Sequence, residues 1–128
     1  KERIAQRLFF GIAEAYCKAN DLDISPETNS GRGAVDFKIS AGYELRVIVE
    51  TKLTTNSRLA HGYEKQIVEY KKAENNAAAI YLVIDNGGSA KRVADLVAIH
   101  NEALSAGISN CDLILVNGRM KESASLFE

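Results

Sequence analysis

Apolar residues recur along this chain with two periods, and each change of period marks a change of element. Between residues 2 and 19 a helical spacing puts Leu8, Ile12 and Tyr16 on one stripe, with Arg3, Arg7, Glu14 and Lys18 opposite it. A short strand is expected near residues 23–26, and residues 34–53 alternate in twos as a hairpin. Helical spacing returns from about residue 59 to 75, where Leu59, Tyr63, Ile67, Tyr70 and Ala73 share a face. The run AIYLVID, residues 79–85, is apolar throughout. It suits an interior strand buried on both faces and parallel to the second hairpin strand across a helical crossover. Ser89 then caps a helix reaching about Ala106, Gly107 stops it, and CDLILVNG supplies a last strand. The order αβββαβαβ predicts an α/β domain with a mixed central sheet flanked by helices.

Charge interrupts the two hairpin strands at positions that share a face. In GAVDFKIS, Val35, Phe37 and Ile39 point one way and Ala34, Asp36 and Lys38 the other. In LRVIVETKL, Leu45, Val47 and Val49 oppose Arg46, Ile48, Glu50 and Lys52. An antiparallel pairing with Phe37 opposite Val47, closed by an odd-numbered turn such as Ala41, Gly42 and Tyr43, joins the two apolar trios on one face. It also sets Asp36 opposite Ile48 and beside Glu50. Slipping by one residue would bury Asp36 and Lys38 unpaired, at a cost of roughly several kcal/mol per group.

Two neighbouring carboxylates resist joint ionisation unless a cation lies between them, and a hard divalent ion is the natural one. Oxygen ligands suit Mg2+, which commonly takes one or two carboxylates together with phosphate oxygens. Lys52, two residues beyond Glu50 on the same strand face, is placed to reach a phosphate under attack or the water attacking it. This pattern points to metal-assisted hydrolysis of a phosphodiester. A simple surface ion pair between Glu50 and Lys52 is the competing reading.

The strings GAVDF and VETK resemble the PD-(D/E)XK nuclease superfamily, the fold of many restriction endonucleases and Holliday junction resolvases. The family's Pro-Asp is Val35-Asp36 here, a departure at the proline, while the E-x-K half is intact as Glu50, Thr51 and Lys52. The resemblance implies a restriction endonuclease-like core, αβββαβ, with one additional helix and strand. It makes Asp36 and Glu50 metal ligands, the Thr51 carbonyl a further ligand, Lys52 the catalytic lysine and Mg2+ or Mn2+ the cofactor. Gln66 and Tyr70 on the following helix match the Q-x-x-x-Y feature of the RecB-like branch. There the glutamine helps arrange the site; packing is the more natural job for the tyrosine, with DNA contact as the alternative. Resolvase-like relatives add a glutamate at the start of the first helix. Glu2 fits that place, on the side of Phe9, Ala13 and Tyr16, better than Glu14 among its basic neighbours. Restriction or anti-phage defence is the setting that the resemblance implies.

At 128 residues and 46% hydrophobic content the chain closes one core, so residues 1–128 read as one domain, of a kind excised from a longer polypeptide. A net charge of −1 excludes a protein that coats nucleic acid by charge alone. DNA is the expected partner through local basic residues: Arg32 in the loop TNSGRG and Arg58 after the E-x-K strand are candidates. Additional domains and a homodimer are further expected partners. Two dispersed cysteines point to a reducing cytoplasm, and no apolar run is long enough for a membrane span. A catalytically silent binding or assembly module of the same fold, or an RNA-cleaving enzyme, are the alternatives to a deoxyribonuclease.

Overall fold

The computed structural model describes residues 2–29, 34–42, 44–73, 78–108 and 111–121. Helix α1 (Glu2–Ala19) precedes strands β1 (Asp23–Asn29), β2 (Ala34–Ala41) and β3 (Leu45–Leu53). Then follow α2 (Leu59–His61), a π-helical turn (Gly62–Gln66), α3 (Ile67–Ala73), β4 (Ala78–Asp85), α4 (Ala90–Ser105) and β5 (Cys111–Asn117). The five strands form one sheet in the order β1-β2-β3-β4-β5, antiparallel from β1 to β3 and parallel from β3 to β5. The expected α/β architecture, with a mixed sheet flanked by helices, is the observed one. No helix among the described residues is long and apolar enough to cross a membrane.

Alternation along β3 divides the interior into two layers. Val49 joins Phe37 and Leu82 under Phe9 and Phe10 of α1. Its neighbour Ile48 faces the opposite side with Tyr81 and Val83, beneath Leu59, Tyr63, Ile67 and Leu96. β4 contributes to both layers, as its unbroken apolar run requires: Tyr81 and Val83 on one side, Leu82 on the other. Tyr63 Oη lies 2.7 Å from His100 Nδ1, and the two rings meet edge to face. Ser89 caps α4 by accepting from the Arg92 N–H, and Gly107 takes the left-handed φ of 68° that ends the helix.

Three expectations are corrected. The hairpin pairs Phe37 with Val49 and Ile39 with Val47, two residues from the expected register. Ala41 still pairs with Leu45, and Gly42, at φ 66°, reverses the chain just after it. A shift of two preserves every facing, so the charged residues stay on one side. In α1 the stripe of Leu8, Ile12 and Tyr16 is exposed, whereas Phe9, Phe10 and Cys17 pack inward. Two apolar stripes compete for the sheet on this helix, and the one holding two aromatic rings buries the larger area. Finally, the helix after β3 is not uniform. The Ile67 N–H bonds to the Gly62 carbonyl five residues back, a π turn that rotates α3 relative to α2.

Candidate active site

β2 and β3 part company at the residues that carry charge. The ladder ends at Phe37 and Val49; one step on, the same register brings Asp36 opposite Glu50. There Asp36 Oδ2 accepts the Thr51 N–H at 2.6 Å, a side-chain oxygen standing where a strand carbonyl would otherwise continue the ladder. N–H and C=O of a strand residue project to the same side, so the Thr51 carbonyl also faces β2. Lys52 Nζ lies 3.2 Å from Glu50 Oε1, and both side chains are largely enclosed. The structure thus gathers Asp36, Glu50, Thr51 and Lys52 at one point, two residues closer in register than expected.

The electrostatics of this group are those of two carboxyls crowded together in a largely buried place. Burial pushes the Glu50 carboxyl up to about 7, the Asp36 charge adds to the rise, and Lys52 opposes it. Asp36 is also raised, chiefly by desolvation, with the Thr51 N–H, Lys52 and a hydrogen bond from the Gln6 amide opposing and Glu2 adding to the rise. Glu50 is only 4% exposed, yet its Oε2 has no hydrogen-bond partner among the described residues. A buried, unsatisfied carboxylate oxygen beside a second carboxylate costs stability unless a cation joins them. The residues present therefore fit a hard divalent ion held by Asp36 and Glu50. Glu2, at the start of α1, lies near enough for its charge to add to the rise at Asp36.

The remaining expected residues divide by position. Gln66 closes the π turn and Tyr70 lies in α3, but both side chains fall outside the described residues, as does Arg32. Arg58 is exposed at the start of α2, where its N–H donates to Asn56 Oδ1. Sequence reasoning missed Gln6, although a signal was present: Glu2 and Gln6 stand one turn apart on the α1 face that holds Phe9 and Ala13. It also missed a cavity of about 610 Å3 between α1 and the β1–β2 ribbon, one wall of which is Asp36.

A second polar group lies at the carboxyl ends of β3 and β4 and is fully knit. Thr54, 0% exposed, accepts from the Asn86 and Gly88 N–H groups at 3.2 and 3.0 Å and shares its proton between Asp85 and Asn86. Asp85 further accepts from the Gly87 N–H at 3.0 Å and from Arg119 Nε at 2.8 Å, and the Arg119 bond holds its carboxyl below the usual range. A side chain at residue 88 would collide with the Thr54 carbonyl, so glycine is required there.

The geometry defines an α/β domain with a buried acid pair and an adjoining lysine on the central strands. Residues 1–88 match the model of a family described as a domain of unknown function, DUF8371, and the chain belongs to that family. That stretch runs from α1 through β4 and holds every residue of the acid–lysine group. No curated protein matches the chain.

Proposed function

We propose that this domain is a divalent-metal-dependent nuclease that hydrolyses phosphodiester bonds of DNA. The observation that carries the reading is the buried Glu50 Oε2, without a partner among the described residues and set beside Asp36 and Lys52. A protein gains nothing in stability from such an oxygen, and a bound cation would satisfy it.

Asp36 and Glu50 would hold Mg2+ or Mn2+, with the Thr51 carbonyl facing the same gap. When bound, the ion supplies Lewis-acid polarisation of the phosphate and lowers the pKa of the attacking water. Lys52, already against Glu50, is placed to orient that water and to offset the negative charge that grows on the phosphate oxygens. Gln6 and the Thr51 N–H fix the direction of the Asp36 carboxylate. The resemblance to the PD-(D/E)XK nucleases rests on the same residues and supports the same reading.

The test is incubation of purified protein with labelled single- and double-stranded DNA in Mg2+ and in Mn2+, beside a Lys52→Ala control. Cleavage that depends on both the ion and Lys52 supports the proposal. If neither DNA nor a labelled RNA is cut with either ion, the enzyme reading fails and a binding module takes its place. Cleavage of RNA alone would move the substrate class.

A further inference from the structure

Asp36 belongs to two places at once. One side of its carboxylate meets Thr51 and the acid pair; the other closes the cavity between α1 and the β1–β2 ribbon. Two guanidinium groups line the same cavity. Arg3 and Arg7 stand one helical turn apart, both exposed, and neither has a hydrogen bond or ion pair to a described residue. The rest of the lining is largely apolar: Phe10, half-buried and about one turn beyond Arg7 on α1, stacks on Phe37 with ring centroids 6.0 Å apart and planes 16° from parallel, and Pro26 adjoins them.

These three surfaces have a common complement. Forked guanidinium donors suit a phosphate, which takes two such groups at once. An aromatic face suits a nucleobase of any sequence. A cavity of about 610 Å3 lies in the range of small-ligand sites and has room for one nucleotide unit. Position adds the last constraint: a strand whose scissile phosphate reaches Asp36 and Lys52 has its neighbouring nucleotide at this opening. The acids nearby, Glu2, Asp36 and Glu50, repel a phosphate strand, and the two arginines are the cations placed to counter them.

We propose that this cavity is the subsite for the nucleotide adjoining the scissile phosphate, with Arg3 and Arg7 holding its phosphate and Phe10 stacking its base. The inference rests on the nuclease reading for its placement beside the reaction. An aromatic face meets a base only when that base is unstacked, so the domain takes a single-stranded or frayed strand in preference to a closed duplex.

The experiment reads binding rather than cleavage. Fluorescence anisotropy follows a short labelled single-stranded oligodeoxynucleotide, and the same sequence closed as a duplex, binding to the Lys52→Ala chain in Mg2+ over a series of salt concentrations. Arg3→Ala/Arg7→Ala is expected to weaken single-strand binding by roughly a hundredfold and to lower the salt slope by about one. Arg3→Lys/Arg7→Lys restores the slope but only part of the affinity. Phe10→Leu keeps the packing on Phe37 and is expected to cost about tenfold with the slope unchanged. Oligonucleotides with a 5′-phosphate and a 5′-hydroxyl identify the phosphate: a difference assigns it to a strand end, equality to an internal linkage, and both support the subsite. Wild-type affinity in the double alanine variant, equal binding of closed duplex, or no binding of either form overturns it. Arginine-dependent binding without any cleavage by the wild-type chain would sink the nuclease reading and leave the subsite standing. Lysine-dependent cleavage with arginine-independent binding would do the reverse.

Discussion

Glu50 and Asp85 are acids on adjacent strands of one sheet, and they are treated in opposite ways. Asp85 accepts from Arg119, Gly87 and Thr54, and its carboxyl is held below the usual range. Glu50 is buried beside another carboxylate with one oxygen lacking a partner among the described residues, and its carboxyl is pushed up to about 7. The first arrangement is what a sheet does with an acid that secures its own loops. The second leaves a buried oxygen unsatisfied, and the proposed cation would satisfy it. Satisfied and unsatisfied acids thus set the Asp85 network apart from the proposed cation site within a single sheet.

The sharpest break of this comparison is Lys52→Ala. It is expected to reduce DNA cleavage per folded molecule by about 10²- to 10³-fold, measured by single-turnover cleavage at a temperature where thermal unfolding shows both proteins folded. Equal cleavage by both proteins would make the Glu50–Lys52 contact a plain ion pair.

Next in size is the pH dependence of the metal-free protein. Glu50 ionises near its ordinary value of 4.5 when unfolded and at about 7 when folded, so between these values the folded state holds more protons. Its contribution to stability therefore falls as pH rises through that window, by up to about 3 kcal/mol, and stays low above it. Asp85 has the opposite sign, since its lowered carboxyl contributes stability above 3.8 that is lost as pH falls through its folded value. Glu50→Gln should then raise metal-free stability at pH 8 and flatten the decline between pH 5 and 7, as read by denaturant titration. A variant less stable than wild type at pH 8 would contradict the claim that this acid is kept at a cost.

Thr54→Val tests the satisfied side. It removes the acceptor for two N–H groups in a buried place and is expected to destabilise the fold by about 1–3 kcal/mol without changing cleavage per folded molecule. Smallest of all, Arg119→Ala breaks an exposed ion pair, and its melting temperature should be indistinguishable from wild type in moderate salt.

Much of this was legible in the residues, for reasons that differ from place to place. The grouping of Asp36, Glu50 and Lys52 follows from strand alternation alone and survives a register error of two, because such an error returns each side chain to its own face. The register itself was not legible. It depends on where Gly42 turns the chain, and an odd turn is satisfied equally by residues 41–43 and 42–44. The inward face of α1 was ambiguous because Leu8, Ile12 and Tyr16 form as regular a stripe as Phe9, Ala13 and Cys17, and only contact with Phe37 decides between them. The Thr54 network could not be read at all. Its donors are backbone groups more than thirty residues away, brought in by the parallel pairing of β3 with β4. No sequence signature announces the π turn ahead of Ile67 either.

The central claim is that Asp36 and Glu50 form an incomplete cation site, and calorimetric titration of Mn2+ into the wild-type chain, Asp36→Asn and Glu50→Gln at pH 8 tests it most directly. The account predicts a binding isotherm for the wild type, accompanied by a higher melting temperature, and its loss in both variants. Equal heats in all three proteins, or no binding to the wild type, would contradict it.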